Sequence, residues 1–287
     1  MEKILLDTDI GCDIDDAICL TWLLRHPSCE LLGITTVSGE VRLRASLASA
    51  ICIKEKKTVP IYVGASNPLM IFKEAEFPQQ SSHLEEWPHD KAFPNIHAVA
   101  FMRKVICENP GQVTIVAIGP LTNLALLFSV YPETAPLVKE IYIMGGTFFE
   151  KPALEWNIKY DPHAAHIVFS APVQRIYTVG LNVTLRLFIG PDQSATAFSR
   201  DGVPYLATLA DDWFRDISNR IYFHDPLATA VLFDKALCEW QTGTVRINLD
   251  SFMTDFSADE NGRHVVAKNV DAAAYFDKYF QLFQNHL

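Results

Sequence analysis

Residues 4–16 read Ile4-Leu5-Leu6-Asp7-Thr8-Asp9-Ile10-Gly11-Cys12-Asp13-Ile14-Asp15-Asp16, so an apolar run leads directly into five carboxylates within ten residues. The apolar run predicts a buried strand, and the apolar pattern from Ala17 to Leu24 predicts a helix directly after it. Carboxylates gathered at a strand end repel one another and raise each other's pKa unless a cation or hydrogen-bond donors compensate them. The stretch therefore indicates a functional site where a strand ends and a helix begins.

Two groups could compensate this acidic stretch. One is the N-terminus of the following helix, whose free N–H groups favour negative charge, and the other is a hard divalent ion bound by oxygen ligands. A solvated acidic loop in which Asp15 or Asp16 caps the helix is the alternative. An EF-hand is excluded, because it needs helices on both sides and a glycine-then-glutamate spacing that this sequence lacks.

Short apolar runs alternate with helical patterns on both sides of this stretch and over the first 180 residues. Such alternation is typical of βαβ units and predicts an α/β fold, an open mainly parallel (mixed) sheet flanked by helices. Strands are predicted at Lys3–Leu6, Glu30–Thr35, Pro60–Val63, Val113–Ile118, Glu140–Met144 and Gln174–Val179. Helices are predicted at Asp15–Arg25, Leu43–Lys54, Ile96–Glu108, Leu121–Val130 and Pro162–Ser170.

Two parts of the chain depart from this rhythm. Residues Ala65 to Pro94 are rich in proline, serine, glutamine and acidic residues, and a loop of that length predicts a flap near the site. Beyond Asn182 the pattern predicts only scattered elements. These are helices at about Tyr205–Arg220, up to Asp234 and at Ala272–Gln284, with short strands around Thr244–Leu249 and His264–Lys268.

Composition narrows the class of protein. The 287 residues are 49% hydrophobic, enough for a full core, and we expect one domain over residues 1–287. A net charge of −10 and the lack of a basic face argue against nucleic-acid binding. The six cysteines form no C-x-x-C pair, and no apolar run approaches a membrane span, so a cytoplasmic protein is expected.

Polar residues follow several predicted strands, where a buried core would not need them. Since ligands of parallel sheets bind at the carboxyl ends of strands, these residues are expected to line one rim. The segments are Thr35 to Glu40, Gly119-Pro120-Leu121-Thr122-Asn123, Gly145-Gly146 followed by Glu155-Trp156-Asn157, Leu181-Asn182-Val183-Thr184, and His224-Asp225.

Taken together and in this order, these motifs resemble the nucleoside hydrolase family, the inosine-uridine type N-ribohydrolases. The resemblance runs from Asp7 to about Asp234 and implies a Rossmann-like nucleoside hydrolase fold. It also implies calcium-dependent hydrolysis of the N-glycosidic bond of ribonucleosides, with a homo-oligomer, a dimer or tetramer, as the usual assembly.

The resemblance implies a role for each matched residue. Asp9, Asp16, the main-chain carbonyl of Thr122 and Asp225 would hold the calcium ion, and all-oxygen ligation is what a hard cation requires. Asp15 would be the general base that activates the attacking water, and His224 would donate a proton to the leaving base from an imidazole of near-neutral pKa. Glu155 and Asn157 would hold the ribose hydroxyls, while Asp7 would order the loop.

The sequence departs from the common family motif at several positions. Asp13 and Ile14 are additional residues before the Asp15-Asp16 pair, which leaves open whether Asp13 contacts the metal, the water or the sugar. Glu40 stands where many members carry a sugar-binding asparagine, and an ionised glutamate accepts but cannot donate. The nucleobase stays open, because six aromatic residues could stack on a purine or a pyrimidine or simply belong to the core: Phe148, Phe149, Trp156, Trp213, Tyr222 and Phe223.

Two other functions remain alternatives. Asp7-Thr8-Asp9 also resembles the nucleophile and acid pair of a haloacid dehalogenase-like phosphatase, although that leaves His224-Asp225 unexplained. A metal-containing nucleoside- or sugar-binding protein of the same fold without turnover is the second. Other histidines receive no role apart from His83, which could enter from the flap; they are His89, His97, His163, His166, His264 and His286.

Overall fold

A nine-stranded sheet forms the centre of the protein in a computed structural model that describes residues 1–72, 74, 76–149, 153–198 and 202–284. His286 and two positions of the expected flap, Lys73 and Ala75, lie outside the described residues. The strands are β1 (Glu2–Thr8), β2 (Cys29–Thr36), β3 (Ile61–Val63), β4 (Val113–Ala117), β5 (Glu140–Met144), β6 (Ile176–Val179), β7 (Phe188–Ile189), β8 (Ile221–Tyr222), β9 (Cys238–Asn248), β10 (Met253–Ala258) and β11 (His264–Val270).

Helices connect most of these strands and cover both faces of the sheet. They are α1 (Asp15–Arg25), α2 (Val41–Lys54), α3 (Ala98–Glu108), α4 (Thr122–Val130), α5 (Trp156–Tyr160), α6 (Pro162–Ser170), α7 (Leu181–Thr184), α8 (Pro191–Ala197), α9 (Pro204–Asp216), α10 (His224–Phe233), α11 (Ala272–Tyr279) and α12 (Gln281–Gln284). Short 3-10 helices lie at Gln79–Glu85, Pro132–Leu137 and Lys235–Leu237.

The strand order is β10-β9-β11-β6-β5-β4-β1-β2-β3, with β7 and β8 pairing separately. All pairings from β3 across to β11 are parallel, whereas β9 and β10 add antiparallel pairings at the other edge. The chain runs from β1 outward to β3, then returns to place β4 on the opposite side of β1. This reversal opens a crevice at the carboxyl ends of β1 and β4, where α/β sheets bind their ligands.

The sheet separates two apolar cores, because successive side chains of a strand point to opposite faces. In β1, Ile4 and Leu6 belong to the core formed with α1, α2, α9, α10 and α11, whereas Leu5 belongs to the core formed with α3, α4 and α6. All three side chains are fully buried. A strand buried on both faces reads as a continuous apolar run, which is how residues 4–6 appear in the sequence.

The predicted fold class is confirmed, and the first six strands lie where the sequence places them, within two residues at each end. The strand pattern after residue 237 was only partly predicted: β9 begins six residues before the expected Thr244, and β10 was missed. The flap contains the 3-10 helix Gln79–Glu85. Among the described residues, no helix is long and apolar enough to cross a membrane.

Candidate active site

A cavity of about 360 Å³ lies at the crevice between the ends of β1 and β4. The loop after β1 approaches the loop after β4 so closely that a methyl group on Gly119 would lie 2.8 Å from Asp9 Oδ1. Glycine is therefore required at position 119 for the carboxylate to reach this place. The cavity is lined by Asp9, Cys12, Asp13, Asp15, Asp16, Ser38, Arg44, Glu76, Ile118, Met144, Glu155, Trp156, Asn157, Leu181, His224 and Asp225.

Three buried carboxylates form what we call the acid cluster, Asp15, Asp16 and Asp225. One oxygen of each lies within 4.8 Å of the other two. Asp15 and Asp16 begin α1 and Asp225 lies in the first turn of α10, so two helix N-termini face the cluster and favour its negative charge. The main-chain N–H of Asp225 donates to Asp15 Oδ2 at 3.1 Å, and Thr8 Oγ1 donates to Asp16 Oδ1 at 2.5 Å.

Helix termini alone do not compensate these charges. Burial, followed by the charge of Asp13, raises the pKa of Asp15 to about 8. Burial and the neighbouring carboxylates also raise the pKa values of Asp16 and Asp225 well above the usual range. Since the donors are all carboxylate oxygens, the cluster suits a hard divalent cation, which would reverse these shifts.

Asp9 and Asp13 stand beside the acid cluster without belonging to its tightest group. Asp9 is half-buried directly after β1, and burial is the main cause of its raised pKa, while Arg44 opposes the shift. Asp13 is exposed at the cavity mouth, where partial desolvation and the charges of Asp9 and Glu76 raise its pKa to about 6. The structure thus brings both predicted residues into the same cavity.

Glu155 and Asn157 form another part of the cavity lining, and the fold fixes both side chains. Glu155 caps α5 and accepts from the main-chain N–H groups of Asn157, Ile158 and Gly146 at 2.8–3.0 Å. Asn157 Nδ2 donates to the carbonyls of Ile118 and Met144, which follow β4 and end β5. These bonds leave Asn157 Oδ1 as the side-chain atom available to accept from a ligand. Burial raises the pKa of Glu155.

His224 lines the cavity beside Asp225 at the start of α10. Its ring stacks on Tyr222, and Nδ1 lies 2.7 Å from Thr184 Oγ1. Burial lowers the pKa of His224 to about 4, so the imidazole is neutral at pH 7. The near-neutral pKa expected from the sequence is therefore wrong, because that expectation took no account of burial.

Two predicted site residues lie apart from the cavity lining. Glu40 is exposed and lines a neighbouring depression together with Glu74 and Phe77. Thr122 is buried at the start of α4, where its hydroxyl donates to Asp161 Oδ2 at 2.8 Å. Their assignments to sugar and metal binding stay predictions.

Asp7 lies beneath the site, consistent with the ordering role expected of it. Its fully buried carboxylate accepts from Thr35 Oγ1 at 2.5 Å and Asn123 Nδ2 at 2.7 Å, which ties β1 to β2 and to α4. Burial raises the pKa of Asp7 to about 7, while these two hydrogen bonds oppose the shift.

Sequence patterns did not indicate Arg44 and Glu76 in the cavity, or Asp161 beneath it, whereas Ser38 belongs to the segment Thr35 to Glu40 that was expected at the rim. Arg44 left a signal, since it lies three residues after Val41 and four before Ala48 on the buried face of α2. Asp161 also left one, because Asp-Pro commonly begins a helix, and it caps α6 here. Glu76 lies in an irregular segment whose path sequence patterns do not define.

The six aromatic residues considered for base stacking lie in different surroundings. Trp156 lines the active-site cavity, and Trp213 lines a second cavity of about 420 Å³ that shares Cys12 with it. Phe148 and Phe223 belong to the core, with exposed fractions of 2% and 0%. Phe149 is exposed and contacts Phe256, while Tyr222 stacks on His224.

Comparisons with known proteins match the chain to one family of enzymes. The family model for inosine-uridine preferring nucleoside hydrolases matches residues 4–277. Uridine nucleosidase 1 of Arabidopsis thaliana is 31% identical over 91% of this chain and 82% of its own length. The pyrimidine-specific ribonucleoside hydrolase RihB of Escherichia coli O1:K1 / APEC is 33% identical over 76% of this chain and 69% of its own.

Solved structures show the same fold. The plant nucleoside hydrolase PpNRh1 superposes with a TM-score of 0.87 at 26% identity, covering 98% of each chain. An inosine-guanosine nucleoside hydrolase superposes with a TM-score of 0.88 at 21% identity, covering 99% of each chain, which supports the fold alone. These matches favour a nucleoside hydrolase over the phosphatase and the binding protein without turnover. The chain belongs to the inosine-uridine preferring nucleoside hydrolase family and is a nucleoside N-ribohydrolase.

Proposed function

We propose that this enzyme is calcium-dependent and that Asp15 and His224 carry its chemistry. The observation that supports this best is the acid cluster, in which three buried carboxylates from two helix N-termini converge in the active-site cavity. Calcium accepts six to eight oxygen ligands in flexible geometry, so it tolerates a set of carboxylates drawn from different loops.

Asp9, Asp16 and Asp225 would hold the calcium ion, with the Thr122 carbonyl as the fourth expected protein ligand. A bound calcium ion would supply a template for the ribose 2′- and 3′-hydroxyls and would lower the pKa of a bound water. The hydrogen bond from Thr8 Oγ1 to Asp16 Oδ1 already orients one of these ligands.

Asp15 acts as the general base in this proposal. Its carboxylate is fixed by the N–H of Asp225, and it lies beside the expected ligands, where it can accept a proton from the attacking water. Ionisation requires that the pKa of Asp15 fall from about 8, and a neighbouring dication has that effect.

Glu155 and Asn157 bind the sugar in this proposal. Glu155 is held by three main-chain N–H groups, and Asn157 presents Oδ1, so both side chains accept from hydroxyls in a fixed geometry. Because the glycosidic transition state carries positive charge on the sugar, the surrounding carboxylates stabilise it more than they stabilise the neutral substrate.

His224 assists departure of the base as a neutral hydrogen-bond donor. If Thr184 Oγ1 donates to Nδ1, the hydrogen of the neutral imidazole resides on Nε2, where it can donate a hydrogen bond to the leaving nucleobase and stabilise the negative charge that develops there. For the substrate we propose pyrimidine ribonucleosides first. The two relatives that are 31% and 33% identical to this chain are named for uridine and for pyrimidine ribonucleosides.

Two variants test the division of roles within the carboxylates. Asp9→Ala should lose calcium binding and turnover together, whereas Asp15→Asn should keep calcium binding and lose about 10²–10⁴-fold in kcat, the usual contribution of a general base. Calcium binding is measured by calorimetry with the metal alone, and turnover by reducing-sugar release from uridine, cytidine and inosine with and without a chelator.

The alternative outcomes are informative. If Asp15→Asn loses calcium and Asp9→Ala retains it, Asp15 is a ligand and the base has to be sought at Asp9. Chelator-insensitive turnover of the unmodified enzyme would refute the calcium requirement. Release from inosine but not uridine would refute the pyrimidine preference alone.

We also propose a homo-oligomer, a dimer or tetramer, in the cytoplasm. The family resemblance supports the homo-oligomer. The six cysteines, none of which is in a disulfide, support the cytoplasm. Light scattering after gel filtration measures the oligomeric state, and a monomer at micromolar concentration would refute the proposed homo-oligomer.

A further inference from the structure

Arg44 is a charged side chain that the chemistry above does not use, although it lines the active-site cavity. It is 1% exposed on α2, and no carboxylate of the described residues lies within 4.0 Å of it to form an ion pair. A buried guanidinium without an ion pair must satisfy its five N–H groups in another way.

Oxygen and sulfur atoms from three separate segments satisfy this guanidinium. From the acidic loop after β1, Arg44 contacts the carbonyls of Asp9 and Ile10 and the thiol of Cys12. Its Nε donates to the Ser38 carbonyl at 2.7 Å, and Nη2 donates to the Glu76 carbonyl in the flap at 3.1 Å. One side chain therefore binds the acidic loop, the loop after β2 and the flap.

The flap also rests directly on the acidic loop. Gln80 donates from its side chain to the carbonyls of Cys12 and Asp13 and from its main chain to that of Gly11. A methyl group on Gly11 would lie 2.5 Å from Pro78 Cβ, and the φ of Gly11 is +126°, so glycine is required for this approach. Glu76 reaches the cavity from the flap segment held in this way.

We propose that Arg44 is a positioning residue that couples the flap at Glu76 to the acidic loop that carries Asp9 and the acid cluster. The planar guanidinium fixes the main chain of a carboxylate-bearing loop and the main chain of the flap with the same fork of N–H groups. Loosening either segment therefore loosens the other, and the cavity wall and the metal ligands change together. The metal part of this inference rests on the proposed function.

Arg44→Lys tests the coupling, because lysine keeps the charge but has three donors at one point and cannot reach all five acceptors. We expect hydrogen exchange of the main-chain amides in residues 9–13 and 76–80 to accelerate together. We also expect the calcium dissociation constant, measured with the metal alone, to rise about tenfold, as is common when a group that orients metal ligands is removed. KM for uridine should rise more than kcat falls.

Arg25→Lys is the matched control. Arg25 is a half-buried arginine whose side chain is 9% exposed, but it binds Glu55 and lies outside the cavity. The Arg25→Lys variant should have a lower melting temperature, with unchanged exchange rates in residues 9–13 and 76–80, unchanged calcium affinity and unchanged KM. Gln80→Ala is a second variant, which removes direct hydrogen bonds between the flap and the acidic loop and keeps Arg44, and both segments should again exchange faster.

Normal exchange in the flap of folded Arg44→Lys would overturn the proposal, and so would faster exchange in one segment alone for either variant. An enzyme that binds calcium but hydrolyses no nucleoside would refute the proposed function and leave the exchange comparison valid. Conversely, full activity with independent exchange of the two segments would refute the coupling alone.

Discussion

At the scale of single residues, burial changes what an ionisable side chain can do. His224 is a clear case, because its adjacency to Asp225 suggests an acid, while its buried place between Tyr222 and Thr184 lowers its pKa to about 4. A neutral imidazole can still donate a hydrogen bond, so His224 can assist the departing nucleobase without being protonated.

His224→Ala should therefore depend on the leaving group. With uridine, whose base leaves poorly, kcat should fall about 10²–10³-fold, the range typical of losing one hydrogen-bond donor to developing negative charge. With 4-nitrophenyl riboside, which needs no proton, kcat should hardly change. His166→Ala, an exposed histidine on α6, is the control and should leave both rates unchanged. Equal losses on the two substrates would contradict the donor role.

His264 gives a pH-dependent prediction away from the site. Its Nδ1 accepts from the N–H of Val245 at 2.7 Å and its Nε2 lies 3.0 Å from the Phe169 carbonyl, so the neutral ring satisfies both partners. Burial lowers the pKa of His264 to about 4 from an unfolded value of 6.5. Between these pH values His264 is protonated in the unfolded chain and neutral in the folded chain. The free energy of unfolding therefore falls as the pH falls.

The contribution of His264 to this loss is about 2–3 kcal/mol across the window from pH 6.5 to 4. His264→Gln, which can still accept and donate, should remove that part of the pH dependence. Urea unfolding of both proteins at pH 7, 5.5 and 4 measures the difference. A difference in unfolding free energy that does not vary with pH would contradict the assignment.

At the scale of elements, local patterns predicted the parallel strands well and the antiparallel edge poorly. β4 and β5 are mostly apolar and buried, with Thr114 and the half-buried Glu140 as exceptions, so their apolar runs identify them. β10, Met-Thr-Asp-Phe-Ser-Ala, is half-exposed at the sheet edge and has no clear alternation of apolar and polar residues. Its pairing is set by β9, which sequence periodicity does not report.

The same distinction applies to the site. The carboxylates and His224 were found because they follow predicted strands or begin predicted helices. Arg44 and Glu76 were not, because Arg44 acts through main-chain carbonyls and Glu76 reaches the cavity from an irregular part of the flap. Main-chain acceptors leave no mark in the sequence.

Gly243 in β9 provides a test of this edge. A methyl group there would lie 2.3 Å from the Ser257 carbonyl in β10, so the two strands could not keep their present spacing. Gly243→Ala should lower the unfolding free energy by about 1–3 kcal/mol without changing KM, because the edge lies away from the cavity. Gly190→Ala is the control, since its methyl group meets nothing within 4 Å. Equal stability of the two variants would contradict the close approach.

At the scale of the whole molecule, the negative charge disfavours anionic ligands. The protein has a net charge of −10, and among the described residues seven that bear carboxyl groups line the cavity, with Arg44 as the one permanent cation. Even a bound dication leaves this surface negative, so an anionic ligand is repelled on approach and within the cavity.

A nucleoside 5′-monophosphate should accordingly be a poor substrate. We expect kcat/KM for uridine 5′-monophosphate to be about 100-fold or more below that for uridine, since like charges brought together cost several kcal/mol. The 5′-deoxy nucleoside separates charge from the lost hydroxyl, and added salt should narrow the gap. Comparable rates for nucleoside and nucleotide would show that the 5′ position faces solvent.

The hydrogen bond between the Asp225 main chain and Asp15 joins residues 210 positions apart. Closing so long a loop is costly and slow, and it is complete only when the first and tenth helices have docked on the same face of the sheet. During synthesis, the first two-thirds of the chain can emerge from the ribosome and assemble most of the parallel strands without a complete acid cluster. Tight cation binding would therefore mark a chain that has finished folding, and a fragment ending before residue 225 should bind the ion weakly even where its strands have formed.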